Sequence, residues 1–462
     1  MNDPYSPRLR TALVLTGTGT AGAYHAGALR ALHEAGVKID LVAGRGIGAV
    51  GAMFVAIDGA PRLWEEKGFW RVPAVRRLYR WRPVPRVAAA AGALAAATVL
   101  LPLAVMAAGL AVFPIDFALK IVGGHGAPSL VGWYLRAAES AFAPGGLPTW
   151  LPRIVFLVLA AAVAFAFVEG WKSDARWPRG PFWWRALRGP LWSDPAVDHT
   201  WHVVWDMLRG AAQLKQPPAS ELARRYVEIV AENAGQPGFR ELLLAVHDID
   251  ARRDLIFALV GDHRRRDLIR RRTTEATDAR RAEVVDLAGA AREHLADALA
   301  AALTVPLATE THPMTFPADS FWRGETHRLC DRPASLIRLV DELIDLGVQQ
   351  IVLVTAVPEP AGPHALAAPR VEGMGRIGEY VASSEAAILR DATTTTPGVR
   401  IYTIRPVHNP IGPFEFAGGF DDRSQRTQPL EELMTRGYED AYHQFIDPVI
   451  GASGDRIQTE RV

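Results

Sequence analysis

Two glycine-rich turns near the amino terminus have residue types suited to chemistry at backbone groups. Residues 16–22 read TGTGTAG and residues 43–48 read AGRGIG, and each follows a short apolar run and precedes a helical pattern. Glycine adopts backbone conformations closed to other residues, so such turns can point several N–H groups at one centre. At a helix N-terminus these donors bind negatively charged groups. Both turns are therefore candidate sites for an anionic ligand or reaction intermediate.

The first turn matches the G-x-G-x-x-G pattern of dinucleotide-binding folds through Gly17, Gly19 and Gly22. Such a site also needs an acidic residue about 20 positions further on, at the end of the next strand. Asp40 lies 18 positions after Gly22, but at the start of the predicted strand. A nucleotide-binding regulator is therefore one hypothesis for this turn.

The second turn has the context of a nucleophile elbow, the G-x-S-x-G turn that presents a reactive serine between a strand and a helix. In this chain Gly46 stands at the position of the serine. Glycine has no side-chain group that could form an acyl intermediate. It does avoid the backbone strain, about 1–3 kcal/mol, that another residue can meet in such a turn.

The apolar pattern around these turns predicts alternating strands and helices. Strand patterns cover residues 11–15, 39–43, 242–246, 255–260 and 350–355, and helical patterns cover residues 23–35, 222–234, 335–346 and 430–445. Strand, glycine turn and helix in quick succession are typical of a parallel sheet with helices on its faces. We therefore predict an α/β fold.

Residues 13–52 resemble the patatin-like phospholipase family in the order and spacing of strand, glycine loop, helix and elbow. The resemblance implies a parallel-sheet α/β/α domain of the serine acyl hydrolase type, which uses no cofactor. It continues less specifically through residues 237–260 and 298–354. It also implies that the oxyanion loop comprises Gly17, Thr18, Gly19 and Gly22.

This chain departs from the family at the residues that carry catalysis. Family members have consecutive glycines and a basic residue in the oxyanion loop, where this chain has Thr18 and Ala21. They also take an aspartate from a D-G-G or D-G-A motif, and the corresponding stretch, 321–333 (FWRGETHRLCDRP), has no such motif. Counting back from the proline of this stretch puts the dyad acid on Glu325, whereas matching the glycine puts it on Arg323. The joint loss favours natural decay of the site over one engineered substitution at the elbow.

Two apolar runs interrupt the α/β pattern. Residues 87–115 carry no charge over 29 positions, and residues 154–168 form a second run of 15. Crossing a bilayer takes roughly 20 apolar residues. We therefore predict a membrane insert with two hydrophobic helices at residues 71–189. It separates two parts of the patatin-like domain, at residues 1–70 and 190–462.

Charge on the two flanks of the insert predicts its topology. The basic residues are Arg71, Arg76, Arg77, Arg80, Arg82 and Arg86 before the first run, and Lys172, Arg176, Arg179, Arg185 and Arg188 after the second. Tryptophans that favour the headgroup layer lie among the latter: Trp177, Trp183 and Trp184. Cytoplasmic flanks are enriched in Lys and Arg, so we predict a multi-pass protein of the inner membrane with its globular domain in the cytoplasm. The segment before residue 11 lacks an apolar core, and we predict no signal peptide.

Composition limits the remaining functions. The net charge of +1 argues against a nucleic-acid partner, and Cys330, the single cysteine, excludes a disulfide framework and a multi-cysteine metal site. His247 and Asp248 alternate along a strand and face opposite sides, so we predict no metal there. Residues 262–272 are interpreted as a solvated basic helix face or a membrane-surface patch. Residues 406–416 are interpreted as an ordinary loop or as the lining of a lipid groove.

The main hypothesis is a membrane-anchored pseudo-phospholipase that binds membrane lipids or a protein partner without hydrolysing esters. The alternative is an active lipid acyl hydrolase with a non-standard nucleophile. Thr18 or Thr20 could supply that hydroxyl, although shaping of the turn is the preferred interpretation of both residues.

Overall fold

The chain divides into two compact units. The computed structural model describes residues 5–122, 129–172, 189–212, 214–270, 282–318, 320–359, 373–394 and 398–451. Unit 1 comprises Met1–Arg80 and Leu191–Val462, and unit 2 comprises Trp81–Pro190. The globular unit is therefore built from both ends of the chain, with unit 2 inserted between them in sequence.

Strands and helices alternate through most of unit 1. The strands are β1 (Thr11–Gly17), β2 (Leu41–Gly46), β3 (Arg80–Trp81), β4 (Leu191–Trp192), β5 (Glu241–Asp248), β6 (Arg253–Leu259), β7 (Val284–Asp286), β8 (His312–Thr315), β9 (Thr326–Cys330), β10 (Gln350–Thr355), β11 (Arg400–Ile404), β12 (Gly419–Asp421) and β13 (Arg426–Gln428). The helices are α1 (Ala21–Glu34), α2 (Gly48–Ala56), α3 (Pro83–Ile121), α4 (Leu130–Ala141), α5 (Leu147–Lys172), α6 (Asp194–Arg209), α7 (Ala219–Glu232), α8 (Asp262–Arg270), α9 (His294–Ala302), α10 (Ser335–Asp345), α11 (Gly373–Thr394) and α12 (Leu430–Ala441). Short 3-10 helices cover Ala60–Leu63 and Pro73–Arg77, and a π-helix covers Tyr442–Gly451.

A central sheet organises unit 1. Its strand order is β11-β10-β1-β2-β5-β6-β7, with β9 beside β5 and β8 beside β9. Strands β11, β10, β1, β2 and β5 pair in parallel, and β5 pairs with β6 in antiparallel orientation. Every residue of β1, β2 and β10 is buried, as expected for parallel strands covered by helices on both faces. The predicted α/β fold is confirmed.

Apolar cores on both faces hold the sheet. One core includes Leu15 and Phe54 with α1 and α2, and the other includes Leu339 of α10. Helix α12 packs so closely on α1 that a Cβ atom at Gly27 would lie 1.8 Å from the Met434 carbonyl oxygen. This contact fixes α1, the helix that begins directly after the first glycine turn.

Unit 2 consists of α3, α4 and α5. Within α3, Ala89–Ile121 spans 33 residues. Its most apolar window of 18 residues has a mean hydropathy of 2.3 and is almost entirely exposed. Among the described residues this is the one helix long and apolar enough to cross a membrane, and the apolar part of α5, Pro148–Ala164, is shorter. The basic and tryptophan-rich flank predicted at residues 176–188 lies outside the described residues.

The two ends of unit 2 meet. The Arg82 amide donates to the Pro190 carbonyl oxygen at 2.9 Å. The first boundary falls after Arg80, ten residues beyond the predicted position at residue 70 (80 − 70 = 10). The difference arises because the basic stretch before Arg80 also carries Leu78 and Tyr79, which are buried in the core of unit 1.

Candidate functional site

The two glycine turns lie side by side at the carboxyl edge of the parallel sheet. Gly17 ends β1, Gly46 ends β2, and the two residues are partners in the ladder. The Ile47 amide donates to the Gly17 carbonyl oxygen at 2.9 Å. The structure thus brings together the predicted oxyanion loop and the predicted nucleophile position.

Gly46 occupies a backbone conformation and a space that exclude a side chain. Its φ is +57°, in the left-handed region that favours glycine. A Cβ atom here would lie 2.2 Å from the Gly17 carbonyl oxygen and 3.0 Å from Oδ2 of Asp331. A serine at this position would therefore require the backbone of the first turn to move.

Asp331, which follows β9, is the acidic residue beside Gly46. Its amide donates to the Thr304 carbonyl oxygen at 3.0 Å. Its carboxylate accepts two hydrogen bonds from Arg45, from Nε at 3.0 Å and from Nη2 at 2.7 Å. This bidentate geometry is the strongest form of arginine–carboxylate pairing. The acid next to the elbow is thus bound by an arginine of the elbow itself.

Glu325 lies elsewhere. Its side chain is 65% exposed and accepts a hydrogen bond from Nε2 of His327 at 3.2 Å. It precedes Asp331 by six residues of largely extended chain, about 3.3 Å each. The structure therefore brings Asp331, and not Glu325, next to Gly46, and the assignment of the dyad acid to Glu325 by counting back from Pro333 stays a prediction. That count assumes the family's spacing between acid and proline, whereas here Asp331 precedes Pro333 by two residues.

His327 connects Glu325 to a buried carboxylate. Its Nδ1 lies 2.5 Å from Oδ2 of Asp248. Burial disfavours the charged imidazolium, but hydrogen bonds to Asp248 and Glu325 outweigh burial and raise the pKa of His327. His247, the neighbour of Asp248, instead bonds to Asp254 at 2.8 Å. The two strand residues thus have separate partners, and no group of three or more potential metal ligands occurs among the residues that the structure describes.

A second acid, Glu385 of α11, completes a buried network around Arg45. Its Oε1 accepts from Nη2 of Arg45 at 3.0 Å and from the Thr18 hydroxyl at 2.9 Å. The Thr16 hydroxyl accepts from Nη1 of Arg45 at 2.9 Å. The side chains of Arg45, Asp331 and Glu385 are 1%, 3% and 5% exposed. Each of the three guanidinium nitrogens therefore donates to a protein oxygen.

Burial determines the protonation energetics of this network. Burial raises the pKa of Glu385, and the charge of Arg45 opposes that rise only in part. Burial disfavours the charge on Arg45, but Asp331 and Glu385 outweigh this effect and raise its pKa. The arginine therefore stays charged and stabilises a carboxylate at the place where a catalytic acid would act.

The loop at residues 411–416 covers the first glycine turn. The Thr20 amide donates to the Pro413 carbonyl oxygen at 2.9 Å, and the Thr20 hydroxyl donates to the Gly412 carbonyl oxygen at 2.9 Å. A Cβ atom at Gly19 would lie 1.9 Å from the same Pro413 oxygen. The Thr20 amide is thus bonded within the protein, which argues against both an open oxyanion hole and a dinucleotide phosphate site at this residue.

Aromatic side chains anchor the loop at residues 411–416 over the first glycine turn. Phe414 and Phe416 pack on Tyr79, with ring centroids 5.5 and 5.8 Å away. The Tyr79 hydroxyl donates to the Leu303 carbonyl oxygen at 2.7 Å. The predicted alternatives for residues 406–416 were loop packing and a lipid groove, and the structure shows packing onto the glycine turn.

Comparisons with known proteins agree with this geometry. Residues 13–103 match the family model described as patatin-like phospholipase. The match contains both glycine turns and ends within α3, so it extends into the predicted insert and does not reach residues 237–260 or 298–354.

Individual relatives match over short segments. Patatin-like phospholipase domain-containing protein 6 from Mus musculus and from Homo sapiens is 45% identical to this chain over 60 residues. That segment is 13% of this chain and only 4% of each relative. The crystal structure of VipD from Legionella pneumophila aligns with a TM-score of 0.31 and 12% identity, over 94% of this chain and 66% of that one. Residues 13–103 of this chain, which contain both glycine turns, are thus similar to the patatin-like phospholipase family.

Proposed function

We propose that this chain is a membrane-anchored patatin-like protein that binds lipid or a protein partner and does not hydrolyse esters. One observation carries the proposal: Gly46 offers no nucleophilic atom, and Asp331 beside it is bound on both carboxylate oxygens by Arg45. In a well-studied serine hydrolase, loss of the nucleophile lowers turnover by about 10⁶. A general base must also be within hydrogen-bonding reach of the proton it removes.

Membrane anchoring is supported by α3. Its apolar stretch of 33 residues exceeds the roughly 20 that span a bilayer. Exposed side chains such as Leu110, which is 79% exposed, would be costly in water over such a length. Arg71, Arg76, Arg77 and Arg80 are exposed just before this helix, and such a basic flank favours the cytoplasmic side.

The connection between the ends of unit 2 supports the proposal of a second crossing. Because Arg82 and Pro190 are hydrogen bonded to each other, the chain leaves and re-enters unit 1 at one place. A chain that starts and ends on one side of a membrane crosses it an even number of times. We propose that α5 returns the chain, with its short apolar part extended by interfacial residues such as Arg153, whose guanidinium lies 4.7 Å from the ring centre of Trp150.

The topology is tested by cysteine labelling in a Cys330→Ala background. A cysteine at Ser129, between α3 and α5, should react with an impermeant reagent added outside, and one at exposed Ser220 in unit 1 should react only after permeabilisation. Reaction of both cysteines from the same side would exclude the hairpin.

A second candidate function, ester hydrolysis by a threonine, is favoured by one observation. The Thr18 hydroxyl donates to Glu385, a carboxylate whose pKa is raised, which is the pairing of a nucleophile with a base. Thr18 is only 3% exposed, however, and Arg45 holds the same Glu385 oxygen. Access to an ester would require the cover over the turn to open.

Labelling with a fluorophosphonate probe separates the two functions. We expect no labelling of the purified full-length protein in detergent or in vesicles, under conditions that label an active patatin-family enzyme. Labelling that is lost in a Thr18→Val variant and kept in Thr20→Val would establish the threonine hydrolase and overturn the pseudoenzyme proposal.

A further inference from the structure

A tight turn after α9 exposes a leucine in an unfavourable conformation. In residues 305–308, the Ala308 amide donates to the Val305 carbonyl oxygen at 3.1 Å, and Pro306 holds the second position. Leu307, at the third position, has a φ of +70°. This is the arrangement of a type II turn, which favours glycine at that position. The Leu307 side chain is nevertheless 76% exposed, so in water both its backbone and its side chain are unfavourably placed.

Hydrogen bonds fix the position of this turn. The Thr309 hydroxyl accepts from the Val305 amide at 2.8 Å, and the Thr309 amide donates to the Val305 carbonyl oxygen at 2.8 Å. The Leu191 amide donates to the Ala308 carbonyl oxygen at 2.8 Å. Leu307 therefore lies in a turn whose backbone is held in place by hydrogen bonds.

The turn lies where the chain passes between unit 1 and the insert. Leu191, which binds the turn, is the first residue of unit 1 after the insert, and β4 pairs with β3, which contains Arg80. The Arg80 guanidinium lies 4.9 Å from the ring centre of Trp192. An exposed leucine, a tryptophan and an arginine within one small region match the side chains that proteins place in the headgroup layer of membranes.

Chain length places this region near the membrane. The apolar stretch of α3 begins at Ala89, nine positions after Arg80 (89 − 80 = 9). Three extended and six helical residues span at most roughly 20 Å. The region therefore cannot lie far from the headgroup layer if α3 crosses the bilayer.

We propose that Leu307, together with Arg80 and Trp192, inserts into the headgroup layer of an anionic phospholipid membrane and holds unit 1 against the bilayer. This proposal rests on the membrane anchoring proposed above. The leucine supplies apolar area and the arginine attracts the anionic headgroups.

Site-specific fluorescence quenching tests the contact in the full-length protein. Cys330 is buried, and burial raises the pKa of its thiol to about 12, so added cysteines can be labelled selectively. A polarity-sensitive fluorophore is attached to Leu307→Cys or, because cysteine is also disfavoured at positive φ, to Pro306→Cys. The control is Asp345→Cys, an exposed position at the end of α10, which leads to the amino edge of the sheet and away from Gly46.

The labelled proteins are reconstituted in phosphatidylcholine–phosphatidylglycerol nanodiscs that contain a headgroup nitroxide lipid. We expect quenching at positions 306 and 307 to be several-fold stronger than at position 345. Equal quenching at all three positions, in protein that resists carbonate extraction from vesicles, would overturn the headgroup contact and leave the anchoring intact. Extraction of the protein by carbonate would overturn the anchoring itself.

Discussion

The elbow of unit 1 and the helix α3 of unit 2 differ in which kind of side chain they bury: the elbow buries charged side chains, and α3 exposes apolar ones. At the elbow, Arg45 is 1% exposed, with its charge compensated by Asp331 and Glu385. In α3, apolar Leu110 is 79% exposed. A buried charge is stable only with its partners in place, whereas a long exposed apolar helix is stable only in lipid. The comparison shows that the residues around the elbow form a buried network of paired charges, while α3 presents a long apolar surface.

Removal of Arg45 should have the largest effect on the folded state. Arg45→Leu leaves Asp331 and Glu385 buried without their cation, and breaking a buried pair in this way costs about 3–5 kcal/mol. The free energy of unfolding of unit 1 in the solubilised full-length protein, followed by denaturant titration, measures this loss.

An exposed arginine provides the matched control. Arg30 pairs with Glu34 on the surface of α1, where their side chains are 47% and 39% exposed. Arg30→Leu should change the free energy of unfolding by no more than about 0.5 kcal/mol. A loss for Arg45→Leu as small as that of the control would show that the network is not part of the structural core.

A charge in α3 should affect membrane insertion and leave unit 1 unchanged. Leu110→Arg replaces a residue that favours insertion with one that opposes it, a difference of about 3 kcal/mol near the helix centre. The fraction of protein that resists carbonate extraction should fall, while Leu110→Val should behave like the native chain. Unfolding of unit 1 caused by Leu110→Arg, with insertion unchanged, would reverse the roles assigned to the two regions.

Two alanine substitutions distinguish backbone conformation from contact at the elbow. Gly46 and Gly36 have similar φ values, +57° and +63°, but a Cβ atom at Gly36 would meet no atom within 4 Å. Gly36→Ala should cost about 1–2 kcal/mol from its backbone conformation alone. Gly46→Ala should cost about 1–3 kcal/mol more, because its Cβ meets the Gly17 carbonyl oxygen. Equal losses of unfolding free energy in the two variants would mean that the backbone of the first glycine turn moves away from the new Cβ atom without destabilising the protein.

Short-range sequence patterns, namely apolar runs and glycine turns, predict much of this fold. The continuous apolar runs of β1 and β10 identify buried parallel strands, and the glycine turns identify the edge where they end. The long uncharged run predicts the apolar helix α3. The helix extends to Ile121, beyond the end of the uncharged run at residue 115, and Asp116 and Lys120 pair with each other within it.

The residues that form the site are harder to predict from the sequence than the fold is. Glu385 bonds to Thr18 across 367 positions, and no local pattern connects them. Asp331 follows β9, which pairs in antiparallel orientation, so the rule that parallel strands carry functional side chains at their carboxyl ends does not point to it. The family's spacing pointed to Glu325 instead. Arg45 lies inside the elbow motif itself, but its inward orientation depends on the two distant acids.

The most direct test of the account is ester hydrolysis by Gly46→Ser, measured beside the native chain and Gly46→Ala with nitrophenyl esters and phospholipid vesicles. The serine restores a hydroxyl, but Arg45 still occupies Asp331, and the Gly17 carbonyl oxygen still crowds the new side chain. We therefore expect turnover by Gly46→Ser to equal that of Gly46→Ala and of the native protein, at the level of the uncatalysed reaction. Sustained turnover by Gly46→Ser alone would show that Asp331 can act as a catalytic acid, and would contradict the proposal that this protein does not hydrolyse esters.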